Sequence, residues 1–118
     1  MNPIGVYQPT RGDIVWLDFT PNAGTEQAGR RPGLILSAKE FNIATGLAFV
    51  CPVTNKGKGS RFEVPLPRGV AVTGFILSDQ LRSVDWIARR AEYAGQIDSN
   101  TMCEVLGRIE AIMSIDLG

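Results

Sequence analysis

The chain reads as a mainly β, α+β domain: a small, strongly curled antiparallel sheet, partly barrel-like, with a short inserted helix and a C-terminal amphipathic helix. Three observations predict it. Short runs rich in β-branched and aromatic residues recur between turn signals, beginning with Ile14–Phe19. Leu47–Val53 is nearly continuously apolar, as a central strand covered on both faces requires. Met102, Val105, Leu106, Ile109, Ile112 and Met113 trace one face of a helix over Asp98–Ser114.

The 118 residues suffice for one domain, taken as 1–118, and not for two. An apolar fraction of 44% and a charged fraction of 20% are those of an ordinary globule. No signal peptide and no membrane-length apolar run is visible, and Cys51 and Cys103 form no disulfide framework or metal spacing. A reducing cytoplasm fits best. There is no histidine, so the commonest general base near neutral pH and the commonest zinc ligand are both missing.

Formal net charge is zero, which excludes a strongly basic nucleic-acid binder, but the charge is unevenly placed. Eleven of the twelve basic residues precede residue 92, against seven of the twelve acids. Lys56, Lys58 and Arg61 form a basic run with no acid among them, and Arg30 and Arg31 are adjacent. A polyanion would be met at those two places.

Taken in order, Met1–Thr10 carries little pattern and reads as a loose arm, and Gly12 as a turn into the first strand. Thr20-Pro21-Asn22 marks a turn after that strand. The connector Gly24-Thr25-Glu26-Gln27-Ala28-Gly29-Arg30-Arg31-Pro32 is unusual, combining two glycines, a carboxylate, an amide and two planar guanidinium forks. Pro32 biases Arg31 towards extended backbone, so Arg31 is expected to be held at the sheet edge. A strand over Gly33–Ser37 follows, then a helix over Ala38–Thr45 with Phe41 inward and Gly46 as its stop. Lys56–Ser60 reads as a mobile basic loop, and Phe62–Leu66 as a strand kept to an edge by Pro65. Thr73–Leu77 is a further strand. Arg82–Ile97 is ambiguous, with Ala88–Ala94 read as a strand leading to Gly95. Asp98 caps the last helix, with Ile97 and Met102 as a hydrophobic staple.

Three strand ends carry the polar chemistry: Glu26 to Arg31, Thr54-Asn55, and Asp79-Gln80. If the strands are neighbours, these ends converge in one cleft. Each alone is weak, since Thr54 and Asp79 are common turn residues and Phe62 and Phe75 serve a core as well as a base stack.

Taken together they resemble a known family. Arg11-Gly12-Asp13-Ile14-Val15, Asp18-Phe19-Thr20-Pro21 and the Gly24–Pro32 connector are similar to the opening of the MazF/PemK (Kid) toxins. Pro52-Val53-Thr54, Asp79-Gln80-Leu81-Arg82-Ser83-Val84-Asp85 and Glu104-Val105-Leu106-Gly107-Arg108 follow in matching order, so the likeness spans nearly all of the chain after residue 10. It implies an SH3-like barrel and the toxin of a type II toxin–antitoxin pair. Such a protein is a homodimeric, cytoplasmic endoribonuclease that cuts single-stranded RNA at short sequences without a metal or other cofactor. The catalytic arginine and threonine would be Arg31 and Thr54. Glu26, Gln27, Asn55, Phe62, Thr73, Asp79 and Gln80 would line the RNA groove, with Arg30 and Lys56 adding positive charge. An acidic, disordered antitoxin segment would be the partner. Thr25 stands where the Kid branch has a histidine, and Leu77 where it has an arginine, which favours the plainer Arg–Thr form of the site.

Cleavage by the neighbouring 2′-OH needs a proton acceptor, a stabiliser of the charged phosphorane and a donor to the 5′ oxygen. Arg31 can grip two phosphate oxygens, Thr54 can hold the phosphate, and Glu26 can accept the proton or orient Arg31. The alternative is a CcdB-like toxin that binds and poisons DNA gyrase without catalysis. The ending Ile115-Asp116-Leu117-Gly118 lacks the aromatic tail expected of that group.

Overall fold

The computed structural model describes residues 6–20, 24 and 27–114. Seven strands form one antiparallel sheet: β1 (Asp13–Asp18), β2 (Arg30–Ile35), β3 (Leu47–Thr54), β4 (Glu63–Pro65), β5 (Phe75–Leu77), β6 (Arg82–Asp85) and β7 (Glu92–Gln96). Helix α1 (Lys39–Thr45) lies between β2 and β3, and α2 (Ser99–Met113) closes the chain. The sheet path is β4-β5-β3-β2-β1-β7, with β6 also pairing β3. Its two ends do not pair among the described residues, so the sheet is open where a barrel was expected.

β3 is central because it serves three partners. Its first half pairs β6 (Leu47↔Asp85 to Val50↔Arg82), its last two residues pair β5, and β2 lies along the other edge. Pro52, which has no N–H to donate, falls between the stretches paired to β6 and to β5. The apolar run is covered on both faces only from Val50 onwards; Leu47 and Phe49 are exposed, and the Phe49 ring stacks on Phe41 at 5.5 Å.

Strand alternation sends side chains to two cores. Ile14, Leu34 and Val53 join Met102 and Val105 of α2 on one face, and Val15, Leu17, Ile35 and Trp86 pack on the other. The Asp98 carboxylate caps α2 by accepting from the Thr101 N–H, and Ile97 and Met102 share one core as the staple predicts. Of the expected helix face, Met102 and Val105 are buried and Ile109 is partly buried, while Leu106, Ile112 and Met113 are exposed. α2 runs on past the core it covers.

In α1 the inward residue is Asn42, fully buried, and not Phe41, which is exposed. Asn42 wins because it is fully bonded: Nδ2 donates to the carbonyls of Pro9 (2.9 Å) and Ser37 (3.1 Å), and Oδ1 accepts from Ser37 Oγ. Gly46 ends the helix in the left-handed region at φ 72°, as expected. The same bonds correct the loose arm, since from Tyr7 the chain is docked. Pro9 is buried against Asn42, and Tyr7 OH and the Thr10 N–H both donate to the buried Asp13 carboxylate. Residues 1–5 lie outside the described residues, as do Pro21 and Asn22 of the expected turn.

The ambiguous stretch resolves into β6, a turn through Trp86–Arg90, and β7, so the strand begins at Glu92 and not at Ala88. No helix among the described residues is long and apolar enough to cross a membrane.

Candidate functional site

β2 begins three residues earlier than expected, which puts Arg30 and Arg31 on the strand itself. Alternation then gives the two arginines different tasks. Arg30 lies opposite Asp18 in register, and its guanidinium donates to the Asp18 carboxylate (3.2 Å) and the Arg90 carbonyl (2.9 Å). Arg90 also grips Asp18, at 2.8 Å, and holds its carboxyl below the ordinary range, with Arg30 adding to the effect. Arg30 therefore lines the rim of the cleft with one bond from each of Nη1 and Nη2 already made.

Arg31 points the other way. Its Nε donates to the Ala28 carbonyl at 2.8 Å, and Nη1 approaches the Val53 carbonyl at 3.5 Å. Two backbone oxygens set the plane of the fork, and no described residue takes its Nη2. Thr54, the last residue of β3, is 6% exposed, and its Oγ1 accepts from the Lys56 N–H at 3.1 Å. The Thr54 hydroxyl proton thus stays available to a ligand.

A cleft of about 710 Å³ opens over these two side chains, walled by Trp16, Gln27, Asn55, Lys56 and Thr73 among others. A smaller one of about 210 Å³ adjoins it and shares Gln27, Thr54, Lys56 and Lys58. Asp79 and Gln80 line this second cleft from a single 3-10 turn, Ser78–Gln80. The Gln27 N–H donates to Gln80 Oε1 at 3.1 Å, tying the β1–β2 connector to that turn. Asn55 Oδ1 accepts from Thr73 Oγ1 at 3.1 Å, which closes the far side.

The three strand ends do converge, therefore, with Arg31, Thr54, Gln27, Asn55, Lys56, Thr73, Asp79 and Gln80 all on the two connected clefts. Phe62 is half-buried and lines neither. Glu26 lies outside the described residues. Leu77 is buried, so nothing basic stands behind Asp79 at that position. Trp16 was missed: in a strand of alternating apolar residues, nothing marks which one meets a cleft. Cys51 takes no part, because burial, helped by the Asp79 charge, pushes its thiol up to about 12.

The Lys56–Ser60 loop is fastened where a mobile loop was expected. The Glu63 carboxylate accepts from the N–H groups of Lys58 (2.9 Å) and Gly59 (3.2 Å). Among the described residues no group of three or more His, Cys, Asp or Glu side chains is placed to hold a metal ion.

Residues 10–113 match the family model described as PemK-like, MazF-like toxin of type II toxin-antitoxin system. The chain is 37% identical over 107 residues to the endoribonuclease toxin MazF of Escherichia coli K12, covering 91% of this chain and 96% of that protein. It is 39% identical over 108 residues to the Escherichia coli endoribonuclease PemK, covering 88% and 81%. The crystal structure of MazF from Deinococcus radiodurans superposes with a TM-score of 0.90 at 45% identity, covering 93% of this chain and all of that one. MazF within a MazE-MazF complex from the same organism gives 0.82 at 40% identity, covering 94% and 100%. The fold, the order of the motifs and these likenesses agree, and the chain belongs to the PemK/MazF family of type II toxin–antitoxin toxins.

Proposed function

We propose that this protein is a toxin endoribonuclease that cuts single-stranded RNA at a short sequence without a metal ion. The observation that carries the reading is the placement of the Arg31 fork and the Thr54 hydroxyl on the floor of one basic cleft. The identities to MazF and PemK endoribonucleases support it.

In this mechanism the 2′-OH attacks the adjacent phosphorus, the P–O5′ bond breaks, and the products carry a 2′,3′-cyclic phosphate and a 5′-OH. Arg31 binds the non-bridging oxygens as their charge grows, and its rigid plane favours the phosphorane over the ground state. Arg31 also passes a proton to the leaving 5′ oxygen and regains one from solvent. Thr54 donates its hydroxyl to the phosphate. Glu26 takes the 2′-OH proton, the role left to a carboxylate in a chain without histidine. Gln27, Asn55, Lys56, Thr73, Asp79 and Gln80 position the unpaired bases and flanking phosphates. The working unit is a homodimer in the cytoplasm, and the exposed Leu106, Ile112 and Met113 on α2 supply apolar surface for pairing. An acidic antitoxin segment occludes the cleft, in keeping with the MazE-MazF complexes among its structural relatives.

Purified protein incubated with single-stranded RNA in EDTA is expected to cut it at a few sites and to spare the same RNA annealed as a duplex. Replacing the 2′-OH at the cut site with hydrogen should abolish cleavage and leave binding. Intact RNA throughout, with gyrase-dependent DNA breakage instead, would reverse the assignment in favour of a CcdB-like poison.

A further inference from the structure

Lys56 and Lys58 line both clefts, yet the loop that carries them, Lys56-Gly57-Lys58-Gly59-Ser60, has no local reason to hold one shape. Glycines loosen its backbone, and like charges on neighbouring side chains spread it. Three contacts fasten it. At its start the Lys56 N–H donates to Thr54 Oγ1. In its middle Gly57 lies so close to Phe75 that a Cβ there would stand 2.7 Å from the ring. At its far side the Glu63 carboxylate takes two N–H groups, Lys58 on Oε2 and Gly59 on Oε1. Glu63 is a strand residue, paired with Leu77 of β5, so this third anchor is fixed to the sheet. Its carboxylate also lines the smaller cleft.

We infer that Glu63 is a positioning residue for RNA binding: its carboxylate folds the Lys56–Ser60 loop against the clefts so that the two lysines meet backbone phosphates. This rests on the RNA-cleaving reading and adds a residue to it. A carboxylate beside a polyanion site repels the polyanion, so charge alone predicts that removing Glu63 tightens RNA binding and steepens its salt dependence. A latch predicts the opposite sign. Without it the lysines lose their fixed place, binding weakens and fewer counterions are released.

The test uses the full chain and a fluorescent 2′-O-methyl RNA, which lacks the attacking hydroxyl and cannot be cut. Affinity is read by anisotropy over a range of salt for wild type, Glu63→Ala, Glu63→Gln, Lys56→Ala/Lys58→Ala, and the lysine pair combined with Glu63→Ala. Gln keeps the shape and one acceptor oxygen, so it carries the test if the alanine variant does not fold. Glu63→Ala is expected to bind about tenfold more weakly, with a salt slope shallower by about 0.7 for each phosphate that is no longer neutralised. Glu63→Gln should fall between it and wild type. In the double-lysine background Glu63→Ala should add nothing. Unchanged or tighter binding by the Glu63 variants, full additivity with the lysine pair, or a wild type with no affinity for the probe overturns the inference. A wild type that shows the expected binding pattern but leaves ordinary RNA intact overturns the cleavage reading alone.

Discussion

A Cβ placed on Gly74 would stand 2.5 Å from the carbonyl oxygen of Thr54 and 3.1 Å from Asn55 Oδ1. The chain ahead of β5 thus approaches the end of β3 more closely than any side chain allows, at a φ of +130° that L-residues rarely adopt. Gly74→Ala is therefore expected to move Thr54. It should cost about 1–3 kcal/mol in urea denaturation. Initial RNA cleavage rates, measured where the variant remains folded, should fall further than the folded fraction does. Full activity in a folded variant would separate Thr54 from the chemistry.

Arg31 is held by the Ala28 and Val53 carbonyls through Nε and Nη1, which leaves its remaining donors in the same rigid plane. Arg31→Lys keeps the charge and loses the fork. Cleavage should drop by about 10²–10³, the usual effect of deleting one preorganised transition-state donor. Affinity for uncleavable RNA should change little. Near-normal turnover in the lysine variant would disprove the fork's role.

Asn42 bonds the docked N-terminal segment through Pro9 and orders the α1 entry through Ser37. Asn42→Ala strands two carbonyls and a hydroxyl in a buried site. The expected loss of stability is about 2–4 kcal/mol, with the cleavage rate of the folded protein preserved. Chemical denaturation and a rate measurement on the same sample check both halves.

The Asp18 carboxyl is depressed first by its bond from Arg90 and then by Arg30. A group depressed in the folded state contributes stability above its unfolded pKa, about 3.9 for aspartate, and loses that contribution as pH falls through the folded value. Wild-type stability should accordingly fall below about pH 4 more steeply than that of Asp18→Asn. Urea midpoints at neutral and acid pH give the comparison, and parallel curves would remove Asp18 from the acid response.

Much of the fold and site was legible from local chemistry. Asp98, Ile97 and Met102 announce the start of α2 because capping and stapling need only residues within one turn. Pro32 announces that Arg31 is extended and held at the sheet, though not that the strand already begins at Arg30. What stayed hidden depended on partners outside the element concerned. Asn42 displaces Phe41 from the interior only because Pro9 and Ser37 supply its bonds. Arg30 lines the larger cleft as its charge suggests, but its bonds to Asp18 and to the Arg90 carbonyl could not be read from its neighbours in sequence. The Lys56–Ser60 loop looks free because its fastening, Glu63, lies beyond it on another element.

The connector from β1 to β2 is nailed down at both feet. The Asp18 N–H donates to the Arg89 carbonyl, the Phe19 N–H to the Gly29 carbonyl, and the Arg89 side chain grips the carbonyls of Asp18 and Thr20. The two strand ends are thereby held at a fixed distance, with Phe19 on one side and Gly29 on the other. The connector's last residues nevertheless belong to the site itself: the Ala28 carbonyl holds Arg31 Nε and the Gln27 N–H is bound to Gln80, so a change of length or composition there would reach the Arg31–Thr54 floor.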